Sequence, residues 1–259
     1  MITAAILFAL STASPPNLDE AQRHFYNGRY DAADALASTL CTDDLDGLAA
    51  CELRSSILLF QIKRVVGGQR DKDRALKQCS RCAEWMVAFK GVTLSAQRVA
   101  RARLEAVPQD DDTRFLLGKI DLNYVWLQLG VLGHKTGWGE YWEARKSLDA
   151  VLKQAPGNIR ARVARAWIDY IVDTEMPRGT RWVLGGGNRK RGLAAVRDAA
   201  DLDADPFIRA EAGFALWDMQ VREGDTALAV ESARTLARDF PENEDLRRFL
   251  AAHGAPVSN

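Results

Sequence analysis

The stretch Gly224-Asp225-Thr226-Ala227-Leu228-Ala229, followed by Ala233, Leu236 and Pro241, decides the fold, because the chain uses it more than once. It recurs as Gly139-Glu140-Tyr141-Trp142-Glu143-Ala144, then Leu148, Val151 and Pro156, and in shorter form as Gly28-Arg29-Tyr30-Asp31-Ala32-Ala33. Glycine stands five residues ahead of an alanine in all three copies, and 17 residues ahead of a proline in the two longer ones. Each position has a physical reading. A glycine closes a helix because a left-handed residue there carries no Cβ penalty. A small alanine lets a second helix approach the first, and a proline cannot continue a helix, so it ends the unit.

The pattern resembles the tetratricopeptide repeat (TPR), whose helix–turn–helix unit is about 34 residues long. The resemblance implies an all-α fold, a right-handed α-solenoid of TPR-like helical hairpins. Three units run end to end from residue 125 to Pro241. The middle one holds Ile159 to Asp173 and Lys190 to Asp203, and exceeds a repeat by about 16 residues, assigned to an insertion over 176–191. Glu242 to Ala252 is expected as the capping helix, since a terminal repeat must cover its apolar face. Its Leu246, Phe249 and Leu250 face inward, and Glu242, Glu244, Asp245, Arg247 and Arg248 face water.

Residues 14–124 read as an irregular helical or degenerate TPR-like region. Leu18 to Asn27 and Tyr30 to Leu40 make one unit, but Leu45 to Val66 is too long for a repeat helix and Gly67-Gly68 ends it. Arg74 to Lys90, Leu94 to Val107 and Thr113 to Gly133 are helical by apolar spacing, giving about 12 helices in all. Helix parity does not close between residues 45 and 107, so one helix there is extra or one unit degenerate. No stretch shows the period-2 alternation of a strand bounded by hairpin turns.

Residues 1–13 read as a signal peptide. Ile2 to Ala13 are nearly all small or apolar, with the length of an h-region and too few to span a bilayer, and Ser11 and Ala13 offer the small residues that cleavage needs. The segment before them holds no Lys or Arg, so a cytoplasmic chain with an apolar first helix is the opposing reading. The expected location is the periplasm or exterior of a bacterial cell. Of the 259 residues, 47% are hydrophobic and 27% charged, which is ordinary globular composition. Lys+Arg and Asp+Glu stand at 35 each, leaving no basic footprint for nucleic acid. No run after residue 14 is apolar enough for an integral membrane span.

Four cysteines in a chain read as exported suggest disulfides. Sequence alone leaves three pairings open, and short spacing favours Cys41 with Cys51 and Cys79 with Cys82. A four-thiolate zinc site competes, but Cys41 and Cys51 are spaced too widely for its common patterns. A redox Cys-x-x-Cys would need a strand–helix context, whereas Cys79-Ser80-Arg81-Cys82 is expected inside a helical stretch.

His24, His134 and His253 stand far apart and form no metal pair, so no metal is expected, and no cofactor either. There is no Gly-x-Ser-x-Gly elbow and no Ser-x-x-Lys motif, hence no enzyme signature. Asp43-Asp44 and Asp110-Asp111-Asp112 read as helix caps and first-turn charges. The glycine-rich run from Arg181 to Gly192 suggests an anion loop of Gly185, Gly186, Gly187, Arg189 and Lys190, against the plainer reading of an inter-helix turn.

The first helix of each unit should line a concave face. The repeat register then sets Arg160, Val163, Trp167 and Tyr170 beside Glu211, Phe214 and Asp218. A groove of arginine, acids and aromatics suits a protein or peptide segment. The expected function is therefore an exported TPR-like scaffold mediating protein–protein interaction, peptide in groove. In the opposing reading these residues pack against the neighbouring helix. The alternative function is a helical-repeat small-ligand-binding component associated with a transport system, which requires an apolar pocket or a pore through the stack.

Overall fold

The computed structural model describes residues 17–254, and every regular element among them is helical. The expected signal peptide lies outside the described residues. Helices α1 (Leu18–Tyr26) and α2 (Tyr30–Leu40) form the first hairpin, and α3 (Leu48–Val66) packs on α5 (Cys82–Ala106) with the short α4 (Lys72–Gln78) between them. Helix α6 (Asp111–Val125) runs directly into a π-helical segment, Trp126–Leu132, and the chain folds back as α7 (Trp138–Gln154). Helix α8 (Ile159–Glu175) pairs with α10 (Arg189–Ala200) across an insertion holding α9 (Arg178–Arg181). The last hairpin is α11 (Pro206–Glu223) with α12 (Thr226–Asp239), and α13 (Glu244–His253) packs on α12. The result is an all-α, repeat-like succession of helical hairpins.

Local chemistry sets most of the boundaries. The side chains of Asn17, Asp71, Asp110, Asn158, Asn188, Asp205, Asp225 and Asn243 each accept a hydrogen bond from the first turn of the helix they precede. Each such cap is worth about 1 kcal/mol. Gly28 and Gly224 take φ of +73° and +75° immediately before α2 and α12, as the repeat pattern requires. Ala33, Ala144 and Ala229 are fully buried where the helices of their hairpins meet.

The middle copy departs from the pattern at its glycine. Gly139 does not close a helix; it sits in the first turn of α7, whose N-cap is Gly137 at φ +91°. The preceding helix closes instead at Gly133, φ +75°, because its last turns are π-helical. Gly130 allows this, since a Cβ there would lie 2.6 Å from the Trp126 indole that folds over it.

The irregular first half resolves in a similar way. The helix expected over Arg74 to Lys90 is broken at residues 79–81, and α5 then runs unbroken through Gly91 to Ala106, merging two expected helices into one. Cys79-Ser80-Arg81 is thus a turn, not helix interior, because Cys79 takes an extended ψ of 114°. Helix α4 is the supernumerary element that upset the parity. The cysteines pair as favoured, Cys41 with Cys51 and Cys79 with Cys82. The insertion ends at residue 188, since Asn188 caps α10. Helix α6 begins at Asp111, so its hairpin starts before the boundary expected at residue 125.

The two ends of the succession meet. Helix α1 packs against α11, and the Tyr26 ring lies among Phe207, Phe214 and Phe240, 5.3 to 6.3 Å between centroids. The Asn243 amide donates to the Tyr26 carbonyl at 2.8 Å, and the Glu242 backbone N–H donates to Asn27 Oδ1 at 3.1 Å. Among the described residues no helix is long and apolar enough to cross a membrane.

Candidate functional site

The seven residues expected to line a groove lie on α8 and α11, and closure of the chain turns their common face inward. Glu211 accepts from Arg160 Nε at 2.6 Å and from Lys119 Nζ at 2.5 Å, and Arg160 Nη2 reaches Glu52 at 3.3 Å. One ion cluster therefore binds α3, α6, α8 and α11 together. The Arg160 guanidinium also lies 4.7 Å from the Phe115 ring centroid. Burial alone would raise the Glu211 carboxyl, but Arg160 and Lys119 overturn that and hold it at about 2. The same cluster raises Arg160 above its ordinary value against the effect of burial.

The aromatics continue this internal packing. Trp167 lies 5.6 Å from Trp126 and 5.8 Å from Tyr170, with Arg222 over its ring. Trp126 in turn meets Phe60, and Lys63 sits over both rings. Tyr170 is buried and donates its hydroxyl to Glu223 at 2.8 Å. Val163 is buried against Ala199 and Ala212, Phe214 meets Tyr26 and Phe240, and Asp218 pairs with Arg222 at 2.8 Å. All seven thus already have partners within the chain. Repeat register placed them on one face, but it carried no sign that Tyr26, Phe60, Lys119 and Trp126 would fill the space opposite.

The glycine-rich run is likewise satisfied from within. Arg189 N and the Arg181 guanidinium both bond to the Asp173 carboxylate, and Arg191 reaches Asp169 at 2.7 Å. Arg189 also pairs with Glu223 at 3.4 Å. The anion expected at the start of α10 is therefore supplied by the carboxylates of α8. Gly187 makes this possible, since a Cβ there would lie 2.8 Å from the Asp169 carbonyl. Gly185 and Gly186 take φ of +77° and +74°, and Lys190 is exposed.

What this loop does present is apolar. Arg145 donates to the carbonyls of Leu184 at 3.0 Å, Gly185 at 2.7 Å and Gly186 at 3.3 Å, and the Tyr141 hydroxyl donates to Leu184 O at 2.7 Å. A Cβ at Gly185 would strike that guanidinium, at 2.9 Å. On the backbone so fixed, Trp182 is 78% exposed and Val183 52%. Sequence reading marked the run for its glycines and bases, and counted Trp182 only among the aromatics of the second half, most of them expected as inter-helix core.

A second arrangement was not foreseen. Asp121 of α6 is fully buried, accepts from Gln97 Nε2 at 2.7 Å, and faces Glu143 of α7. Burial, and then the negative Glu143, push the Asp121 carboxyl up to about 8. Near neutral pH this favours the protonated, uncharged acid beside Glu143. Glu143 stays ionised because Arg101 grips it, Nε to Oε1 at 3.0 Å and Nη2 to Oε2 at 2.5 Å, which lowers its pKa. An open cavity of about 500 Å3 lies outside, walled by Arg101, Arg114, Trp142, Glu143 and Lys146. Asp121 is not among the residues lining it, so Glu143 stands between Asp121 and the cavity.

Among the described residues no cluster of three or more metal-ligating side chains occurs. Comparison with protein-family models, with curated proteins and with solved structures finds no match.

Proposed function

We propose that the chain is an exported, TPR-like right-handed α-solenoid that acts as a protein-interaction scaffold and has no catalytic role. The left-handed Gly28 and Gly224 and the buried Ala33, Ala144 and Ala229 support the repeat reading. The cystine pairs suit an oxidising compartment such as the periplasm or the exterior.

The observation that carries the interaction reading is the insertion between α8 and α10. Its backbone is tied down by Arg145 and Tyr141, and it holds Trp182 and Val183 in water. A large apolar side chain on an already ordered loop supplies contact area with little further entropy to lose. A peptide on the inner face would first have to displace the Arg160–Glu211–Lys119 cluster and the aromatics around Trp167. The insertion is the better surface, and its partner is a protein with an apolar socket.

The test is capture of partners from the native compartment by the full chain and by the double variant Trp182→Ser, Val183→Ser. Loss of an anchor of this kind weakens an interface by at least about 2 kcal/mol, roughly thirtyfold. The variant should lose the captured protein and keep its melting temperature, since both side chains are exposed. Unchanged capture by the folded variant would sink the reading.

A further inference from the structure

An open cavity of about 410 Å3 lies where the first hairpin meets α3 and the start of α5. Arg29, Arg64 and Arg81 bring three guanidiniums to its wall, against one lining carboxylate, Asp31. The arginines pair with Glu242 at 3.0 Å, Asp245 at 3.3 Å and Asp31 at 2.9 Å. All six side chains are more than a third exposed, and pairs of that kind exchange readily for a better ligand. Two of the arginines are braced: Arg64 lies over the Tyr30 ring and Arg81 over the Trp85 ring, each at 5.0 Å. Stacking fixes the plane of a guanidinium and leaves its donor edge free. The first turn of α2 completes the wall, and α2 begins without a side-chain cap, so its N-terminal dipole adds to the positive field.

An independent observation points to a ligand. Gln61 lines the cavity and is only 5% exposed; its Nε2 donates to Asp31 at 2.9 Å, while its Oε1 has no partner. The buried Nε1 of Trp85, also in this wall, has none either. A buried polar atom left unpaired is costly, and here one acceptor and one donor are left so within a single cavity.

We propose that this cavity binds a small oxyanion, a phosphate monoester or a carboxylate, that also carries a hydroxyl or amide donor. The arginine forks and the start of α2 take the anion, Gln61 Oε1 takes the donor, and Trp85 Nε1 takes a neighbouring oxygen. The site goes beyond the scaffold reading and stands without it, because it lies on the turn before α2, on α2, α3 and the start of α5, and the insertion lies between α8 and α10.

Calorimetric titration of the full chain tests it. Glucose 6-phosphate and glucuronate separate a phosphate from a carboxylate on similar hydroxyl-bearing rings, and inorganic phosphate and glucose supply the halves. At least one sugar anion should bind saturably, at least tenfold tighter than either half, and more weakly as salt rises. Arg64→Gln with Arg81→Gln should weaken binding at least tenfold with an unchanged melting temperature. Gln61→Met should erase the advantage of the sugar anion over inorganic phosphate, and Trp85→Phe should weaken both anions while keeping the ring. Absence of saturable binding by either sugar anion at millimolar concentration overturns the proposal. So does binding that survives the double arginine variant, or a sugar anion that binds no better than inorganic phosphate.

Discussion

Replacing Asp121 by asparagine should stabilise the protein, by an amount that grows with pH. In the folded chain burial and the adjacent Glu143 raise this carboxyl from 3.8 to about 8. Above about pH 4 an unfolded chain has given up the proton, whereas the folded chain keeps it until about pH 8. Proton release on unfolding makes the folded state less favourable as pH rises, by about 1.4 kcal/mol per unit across that window. From about pH 4 to about pH 7 this amounts to at most about 4 kcal/mol, and partial relaxation around the pair brings the expected gain at neutral pH to about 2–4 kcal/mol. Asparagine fits the site as the protonated acid does. Its oxygen accepts from Gln97 Nε2, and its NH2 donates to Glu143 in place of the acid proton. Urea unfolding of both proteins at several pH values between about 5 and 8 measures the effect. The difference in unfolding free energy should widen with pH, and groups elsewhere cancel because both chains share them. Parallel curves, or a variant less stable than the parent near pH 8, would refute the raised Asp121 carboxyl.

Arg160→Ala should cost about 3–5 kcal/mol in the same unfolding measurement, because Glu52 and Glu211 are left facing each other with Lys119 as the remaining cation. The depressed Glu211 carboxyl contributes stability that is complete above its unfolded value of 4.5 and is lost as pH falls toward 2, so Glu211→Gln should flatten the acid limb of the stability profile. Cys41→Ser with Cys51→Ser should lower stability by about 3 kcal/mol, and Cys79→Ser with Cys82→Ser by about 2 kcal/mol, because the second pair closes a shorter loop.

What could be read from the sequence was what short-range physics determines. Gly28 and Gly224 act where a left-handed residue is needed, Ala33, Ala144 and Ala229 where helices touch, and Asp110 and Asp225 where a first turn lacks an acceptor. The cystine pairs join the cysteines nearest in sequence, so spacing found them. The break expected between Lys90 and Leu94 is absent, because the helix continues through Gly91 when Phe89, Val92 and Ala96 bury one face against α3 and α6. The π-helical turns and the shift from Gly139 to Gly133 depend on where the Trp126 ring lies, and that is a tertiary fact. The groove residues find partners within the chain for a related reason. Glu211 meets Lys119 from 92 residues away, a partnership no local pattern carries. Asp121 and Glu143 were passed over because each alone looks like a helix-surface acid, and only the packing of α6 on α7 brings them together.

The bond between Asn243 and the Tyr26 carbonyl joins residues 217 positions apart. A stacked array normally folds by nearest-neighbour propagation, and any stretch of it can form first. Here the hairpin of α1 and α2 acquires its full set of neighbours only when α11 and the start of α13 are in place. Until α11 has been made, the face of α1 that carries Tyr26 lacks the Phe207 and Phe214 rings that cover it. This closure also makes α1, α11 and α13 a single cooperative unit. Deleting α13 should therefore loosen the amide protons of α1 as much as those of α12, although the whole chain lies between them in sequence.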